Sequence, residues 1–310
     1  MLGFPRAQGM ALLILVAAII FSPGVLYPVF LMKVLCFALF ACAFNLLIGY
    51  VGLLSFGHAA FFGMGAYVTA WTAKNWGLWP EAAIVLGGLT GAGLGVVTGW
   101  IAIRRQGIYF AMITLALSQM VYFFTLQAPF TGGEDGIQQV PRGHLFGILS
   151  LRSDMMMYWV TAFIFIVGFL LIYRIVHSPF GQVLKAIREN EPRAISLGYR
   201  VDDYKLIAFV LSTFIAGIAG GTKSIVFGIA TLTDVHWSMS GEVVLMTLLG
   251  GLGTIFGPVV GALIVTAMEN YLAQFGAWVT VTQGVIFVAC VLAFRRGVVG
   301  EIGAKLKLAL

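Results

Sequence analysis

The stretch "GLLSFGHAAFFGMGAY", Gly52 to Tyr67, is apolar enough for a membrane, yet it holds four glycines, a serine and a histidine. Glycine weakens a helix by up to about 1 kcal/mol relative to alanine. A polar group in hydrocarbon costs free energy unless it is hydrogen-bonded. Gly49 and Gly52 are placed to end one apolar run, and Ser55 or Gly57 to begin the next, with Ser55 the candidate N-cap. Gly63 and Gly65 suit close helix contact. A break of this kind is tolerated in a bilayer only where protein or a water-filled cavity covers its free backbone groups. Two readings remain open: an element lining a pathway, or tight packing alone.

Composition places this stretch in context. Of 310 residues, 60% are hydrophobic and only 10% charged, with a mean hydropathy of +1.00. Soluble domains carry about 25% charged residues, so the chain reads as a polytopic integral membrane protein. Arg6 before an apolar run resembles a signal peptide, but no small-residue cleavage site closes the run and a second one, Tyr27–Ile48, follows at once. The first run is therefore expected to be a retained, short transmembrane helix. Cys36, Cys42 and Cys290 all fall inside apolar segments without metal-ligand spacing, and read as small buried hydrophobes.

Interruptions in hydropathy divide the chain into about ten apolar segments: 10–21, 27–48, 58–72, 81–103, 109–126, 155–176, 204–227, 242–256, 259–273 and 278–294. The eighth and ninth are short and separated only by "GGLGTIFGP", which fits a helical hairpin or a broken helix. The net charge of +6 follows the positive-inside pattern. Arg6, Arg104, Arg105, Arg174, the basic residues between Lys185 and Lys205, Arg295, Arg296, Lys305 and Lys307 fall on one side. Lys33, Lys74, Arg142, Arg152 and Lys223 fall at the other. The expected fold is thus all-α and polytopic, with about ten transmembrane segments, some short or broken, and both termini inside. The basic residues report topology and not nucleic-acid binding.

Two loops stand out. Residues 127–154 would face outside, where "GGEDG" is turn chemistry and lacks the spaced carboxylates of a calcium loop. Residues 177–205 would face inside. There Phe180, Val183, Leu184 and Ile187 recur at helical spacing, with Pro192 placed to open a second turn and Gly198 to close it. The mixed charges of Lys185, Arg188, Glu189 and Glu191 suit a protein partner better than a purely anionic lipid face.

The chemistry of common enzymes is missing. None of the lysines follows a glycine, so no phosphate-cradling G-K-[ST] loop exists, and no zinc-protease or nucleophile-elbow motif occurs. Lys33, Lys223, Glu242 and Glu269 lie near segment ends, where snorkelling to water relieves their burial. A proton or ion relay through them is the minority reading. Within "IYFAMITLALSQMVYFF", Thr114, Ser118 and Gln119 form a polar patch on one helix. Their hydroxyls either line a cavity or bond their own helix carbonyls. Gly87, Gly91, Gly95 and Gly99 read as close packing. The candidate pathway residues are Ser55, His58, Thr114, Ser118 and Gln119.

Five blocks in order carry a family resemblance: "NLLIGYVGLLSFGHAAFFGMGAYVTA" (45–70), "GIYFAMITLALSQ" (107–119), "TGGEDGI" (131–137), "SPFGQVLKAIRENEPRAISLGYRVDDYKLIAFVLSTFIAGIAGG" (178–221) and "LLGGLGTIFGPVVGA" (248–262). Together they resemble the LivM-type permease, a membrane subunit of ABC importers of the branched-chain amino-acid class. One departure is Arg296, near the position of a proline with which the family tends to close. The resemblance implies a single transporter transmembrane domain, 1–310, in a bacterial inner membrane, with a coupling segment at 177–203. It implies a homologous permease partner, two cytoplasmic ATPase subunits that hold ATP and Mg, and a periplasmic binding protein. No cofactor belongs to this chain. Phe180, Gly181, Leu184, Lys185, Ala186, Ile187, Arg188, Glu189, Asn190, Leu197 and Gly198 match the coupling segment. Amino acids, branched-chain above all, are the expected cargo; urea or short amides and aromatic or other carboxylates are the alternatives. A self-contained channel or gradient-driven carrier is the competing class.

Overall fold

The computed structural model describes residues 6–145, 147, 149–272, 279–293 and 297–306. Each of the ten apolar segments forms a helix: α1 (Arg6–Phe21), α2 (Pro28–Tyr50), α3 (His58–Asn75), α4 (Pro80–Ala102), α5 (Ile108–Gln127), α6 (Asp154–Val176), α9 (Val201–Phe227), α10 (Trp237–Gly250), α11 (Gly257–Leu272) and α12 (Val279–Ala293). Five of them, α2, α4, α5, α6 and α9, are long and apolar enough to cross a membrane. Three further helices are short and lie between or after these: α7 (Pro179–Glu189), α8 (Glu191–Ser196) and α13 (Gly297–Leu306). Arg295, Arg296 (the site of the C-terminal departure) and Lys307 lie outside the described residues.

Helix boundaries follow local chemistry. Pro28 and Pro80 sit at the first positions of α2 and α4, where a missing N–H costs nothing. Exposed Trp79 precedes α4 and exposed Trp100 lies in its last turn, about 32 Å apart at 1.5 Å per residue, close to the thickness of a bilayer core. Arg104 lies over the Trp100 ring, 4.7 Å from its centroid.

Helices α3, α4 and α9 pack as a triple whose contacts are backbone to backbone. A Cβ at Gly217 of α9 would fall 2.6 Å from the Gly87 carbonyl of α4, and one at Gly91 would fall 2.5 Å from the Thr213 carbonyl. Glycine is required there because the helix axes leave no room for a side chain. The glycine run of α4 is therefore a packing device. Helix α2 lies beside this triple and is buried over most of its length.

Helices α10 and α11 form an antiparallel hairpin along α2. Lys33 of α2 bonds Glu269 of α11 at 3.0 Å, and Asn45 of α2 holds the turn between α10 and α11. Those two ties are about 18 Å apart along α2. The eighth segment begins and ends earlier than expected, at 237–250, because Gly251 and Gly253 adopt positive φ and break the helix there.

The loop between α5 and α6 is ordered. β1 (Ile137–Gln138) pairs antiparallel with β4 (Ile229–Ala230), after α9, while β2 (His144–Leu145) pairs with β3 (Leu149–Ser150). "GGEDG" supplies 3-10 turns, and Gly136 takes φ +66° where a Cβ would meet the Ala230 carbonyl. Among the described residues no three His, Cys, Asp or Glu side chains converge on a metal site. Cys36 and Cys42 are buried free thiols.

Candidate functional site

The break at 51–57 is where several elements meet. Helix α3 starts at His58 with Gly57, and not Ser55, in the N-cap position, and no side chain of its own loop caps it. The cap comes from a distant segment: Ser240, in the first turn of α10, accepts a bond from the Ala59 amide at 2.9 Å. That tertiary contact supplies what a local N-cap otherwise supplies, and leaves buried Ser55 to accept a longer bond, 3.4 Å, from the Gly57 amide. The N-termini of α3 and α10 are thereby brought side by side. Asp234, just before α10, is fully buried and paired with Lys223 of α9 at 2.5 Å, while Val235 packs against Gly63.

His58 is enclosed by the rings of Phe40, Phe44, Phe61 and Phe209. Its Nε2 lies 2.9 Å from Ser212 Oγ, and that hydroxyl donates to the Ala43 carbonyl at 2.5 Å. With the serine proton committed to the carbonyl, Nε2 carries the imidazole proton and Nδ1 is left as a buried acceptor without a partner among the described residues. The relay ties α2, α3 and α9 together at one level.

Helix α5 covers the start of α3: a Cβ at Gly57 would meet the Thr114 backbone. Thr114 and Ser118 are buried and donate to carbonyls of their own helix, those of Ala111 at 2.9 Å and Leu115 at 3.0 Å. Gln119 is half-buried, and its Nε2 has no partner among the described residues. Ser55, His58 and Thr114 thus share one region, with Ser118 and Gln119 one turn along α5. Three residues missing from the sequence-based set complete it: Ser212, Ser240 and Asn45. Asn45 was the most accessible to reasoning, being a lone amide within a 23-residue apolar helix.

The segment after α6 forms a compact module. Ser178 caps α7 by accepting from the Gly181 amide, with Pro179 at the first position. Gly181, Leu184 and Ile187 face inward, and Phe180 stacks on Tyr204 of α9. Asn190 accepts from the Arg193 amide to start α8, and Gly198 ends it at φ +88°. Ile187, Ala194 and Val201 make a small core of their own, and buried Lys205 bridges Glu191 at 2.6 Å. This leaves Ala186, Glu189, Asn190, Leu197 and Gly198 exposed, beside exposed Ile195 and Tyr199.

Arg188 connects the module to the core. Its Nη1 donates to the Gly49 carbonyl at the C-terminal end of α2, where a cation also offsets the helix dipole. The same guanidinium lies beside Gly253 in the α10–α11 turn, where an added Cβ would fall 3.1 Å from Nη1, and its stem lies beside Gly52, which has φ +83°. Asn45 grips that turn from the other side, donating to the Thr254 carbonyl at 2.8 Å and accepting from the Gly253 amide at 3.1 Å. Lys185 lies over the Tyr50 ring, 5.7 Å from its centroid.

A family model described as "Branched-chain amino acid transport system / permease component" matches residues 28–294. Among curated relatives, the high-affinity branched-chain amino acid transport system permease protein LivM of Salmonella typhimurium is 28% identical over 85% of this chain and 68% of its own length. LivM of Escherichia coli is 26% identical over the same shares. The ribose import permease protein RbsC of Bacillus subtilis is 26% identical over 71% of this chain and 70% of its own length. No solved structure matches the chain. Members of this family are multi-pass transmembrane subunits of ABC transporters that lack catalytic activity, and membership implies ATPase and binding-protein partners. The chain belongs to the family of branched-chain amino acid transport system permease components.

Proposed function

We propose that this chain is one of two homologous permease subunits of an ATP-driven importer in a bacterial inner membrane, with amino acids, branched-chain above all, as its cargo. Two LivM relatives, each matched over 85% of the chain, favour that cargo. On this reading α7 and α8 face the cytoplasm and dock on an ATPase that carries ATP and Mg. A binding protein meets the opposite face. Urea, short amides and aromatic or other carboxylates are the alternative cargoes within the same architecture.

The observation that carries the reading is the reach of Arg188. One side chain bonds the surface module to the end of α2 and lies against the turn of the α10–α11 hairpin. A push on α7 is therefore delivered to both, and the hairpin in turn touches the N-terminus of α3 through Ser240. The proposed path runs beside that junction, along Ser55, His58, Thr114, Ser118 and Gln119. Gln119, whose buried Nε2 has no partner among the described residues, is the member best placed to meet a polar solute.

The competing class, a self-contained carrier, has one observation in its favour: the Lys33–Glu269 pair with Glu242 nearby. Reconstitution separates the two. The purified chain alone is expected to give no solute flux in liposomes, and uptake is expected only after both ATPases, the second permease and the binding protein are added with ATP. Flux from the chain alone, abolished by Glu269→Gln, would overturn the proposal.

A further inference from the structure

Two adjoining cavities have no part in the path described above. The first, about 520 Å³, opens between the ends of α2 and α6, the second half of α7 and the α10–α11 turn. Its polar walls are Lys185, Arg188, His177, Gln8 and Glu189, with two basic side chains against one carboxylate. Lys185 makes no ion pair among the described residues, and the Arg188 guanidinium keeps donors beyond the one given to Gly49. The second cavity, about 400 Å³, is almost wholly apolar and separates α1 from the bundle. Ala11, Leu15, Val260 and Val299 are among its walls, and Ser22 with Tyr158 lies at its far end, joined by a 3.0 Å bond.

The two adjoin. Gln8 and Ala11 are one turn apart on α1, and Ile255 of the first cavity is the chain neighbour of Phe256 in the second. From Ala11 to Ser22 the apolar groove runs about 16 Å along α1, half the thickness of a ~30 Å bilayer core. A cationic mouth at a helix end, continuous with an apolar slot one leaflet deep, matches an amphiphile with an anionic head. A soluble anion would leave the slot empty, and a neutral lipid would leave Lys185 without a counter-charge.

We propose that this pair of cavities binds one anionic phospholipid of the cytoplasmic leaflet. Its phosphate meets Lys185 and Arg188, and one acyl chain lies between α1 and α11. The lipid thus touches the same arginine that ties α7 to α2 and the hairpin turn, so lipid composition and coupling share one contact. The proposal rests on the inward placement of α7. Labelling of a Lys185→Cys variant by an impermeant thiol reagent from each side tests that placement separately.

The test is lipid retention by the full-length chain, purified from nanodiscs holding equal phosphatidylglycerol and phosphatidylcholine and weighed by native mass spectrometry. One tightly retained lipid per chain is expected, with phosphatidylglycerol favoured about fivefold, the size that one net basic charge gives near an anionic surface. Lys185→Gln should remove most of that preference while a lipid is still retained. Val260→Trp should abolish retention of either lipid. Ala11→Phe on peripheral α1 is the second groove variant should Val260→Trp not fold. Equal retention of both lipids in wild type, or retention unchanged by both groove variants, would overturn the proposal. So would loss of the bound lipid to millimolar inorganic phosphate, which assigns the mouth to a free anion.

Discussion

The α3–α4–α9 triple and the seating of the α10–α11 hairpin on its neighbours follow different principles. In the triple, helices meet glycine to backbone, as at Gly217 on Gly87 and Gly91 on Thr213, with no space for a displaced side chain. The two helices of the hairpin also meet glycine to backbone, as at Gly261 on the Met246 carbonyl, but the pair is held to its neighbours by a few directional polar ties: Lys33–Glu269, Asn45 to residues 253 and 254, and Ser240 at Ala59. Close backbone packing cannot slide by a fraction of an ångström without collision. Polar ties can be broken and remade at a cost of roughly 0.6–2 kcal/mol each in a membrane. The contrast identifies the triple as the frame and the hairpin as the part able to move.

That contrast can be broken most severely in the frame. Gly217→Leu places a branched side chain against the α4 backbone, and its cost should exceed the about 1–3 kcal/mol usual for overpacking. The expected outcome is loss of monodisperse protein in size-exclusion chromatography; a well-folded variant would show that the triple has slack. Next in size, Asn45→Leu removes both bonds to the hairpin turn. Two ties at membrane values amount to roughly 1–4 kcal/mol. The variant should still assemble with its partners, while uptake falls about tenfold or more. Assembly lost together with uptake would place Asn45 in the frame instead.

A smaller effect is expected at the ion pair. Glu269→Gln keeps a polar partner for Lys33, so uptake by the full transporter should fall by no more than about fivefold, within the range of a half-exposed pair. Complete loss of uptake would revive the carrier reading. The smallest effects belong to α5. Thr114→Val and Ser118→Ala remove hydroxyls already bonded to their own helix, so each should change stability by less than about 1 kcal/mol. Gln119→Leu should affect uptake more than either, and the reverse order would relocate the proposed lining.

Much of this organisation was legible in the sequence. The apolar segments and the amphipathic stretch 180–187 each became a helix, because hydropathy and periodicity are local properties. The glycine run 87–99 read as packing for the same reason. What escaped was tertiary. Ser55 was the natural N-cap by its position, but the Ala59 amide found Ser240, 181 residues away. Ser212 looked like one hydroxyl among many small residues; only the fold sets it between His58 and the Ala43 carbonyl. Lys33 and Glu269 read as snorkelling ends, and pair across helices instead. At Thr114 and Ser118 sequence left two alternatives, and the structure has the hydroxyls on their own carbonyls.

The central claim is that Arg188 carries motion from the α7–α8 module to α2 and the hairpin. Its most direct test is the ratio of solute imported to ATP hydrolysed by the assembled transporter bearing Arg188→Ala. A charge-assisted bond of this kind is worth about 1.5–3 kcal/mol, so uptake should fall at least about tenfold while the complex stays intact and ATP is still hydrolysed. Uptake and hydrolysis both at the wild-type level would contradict the account.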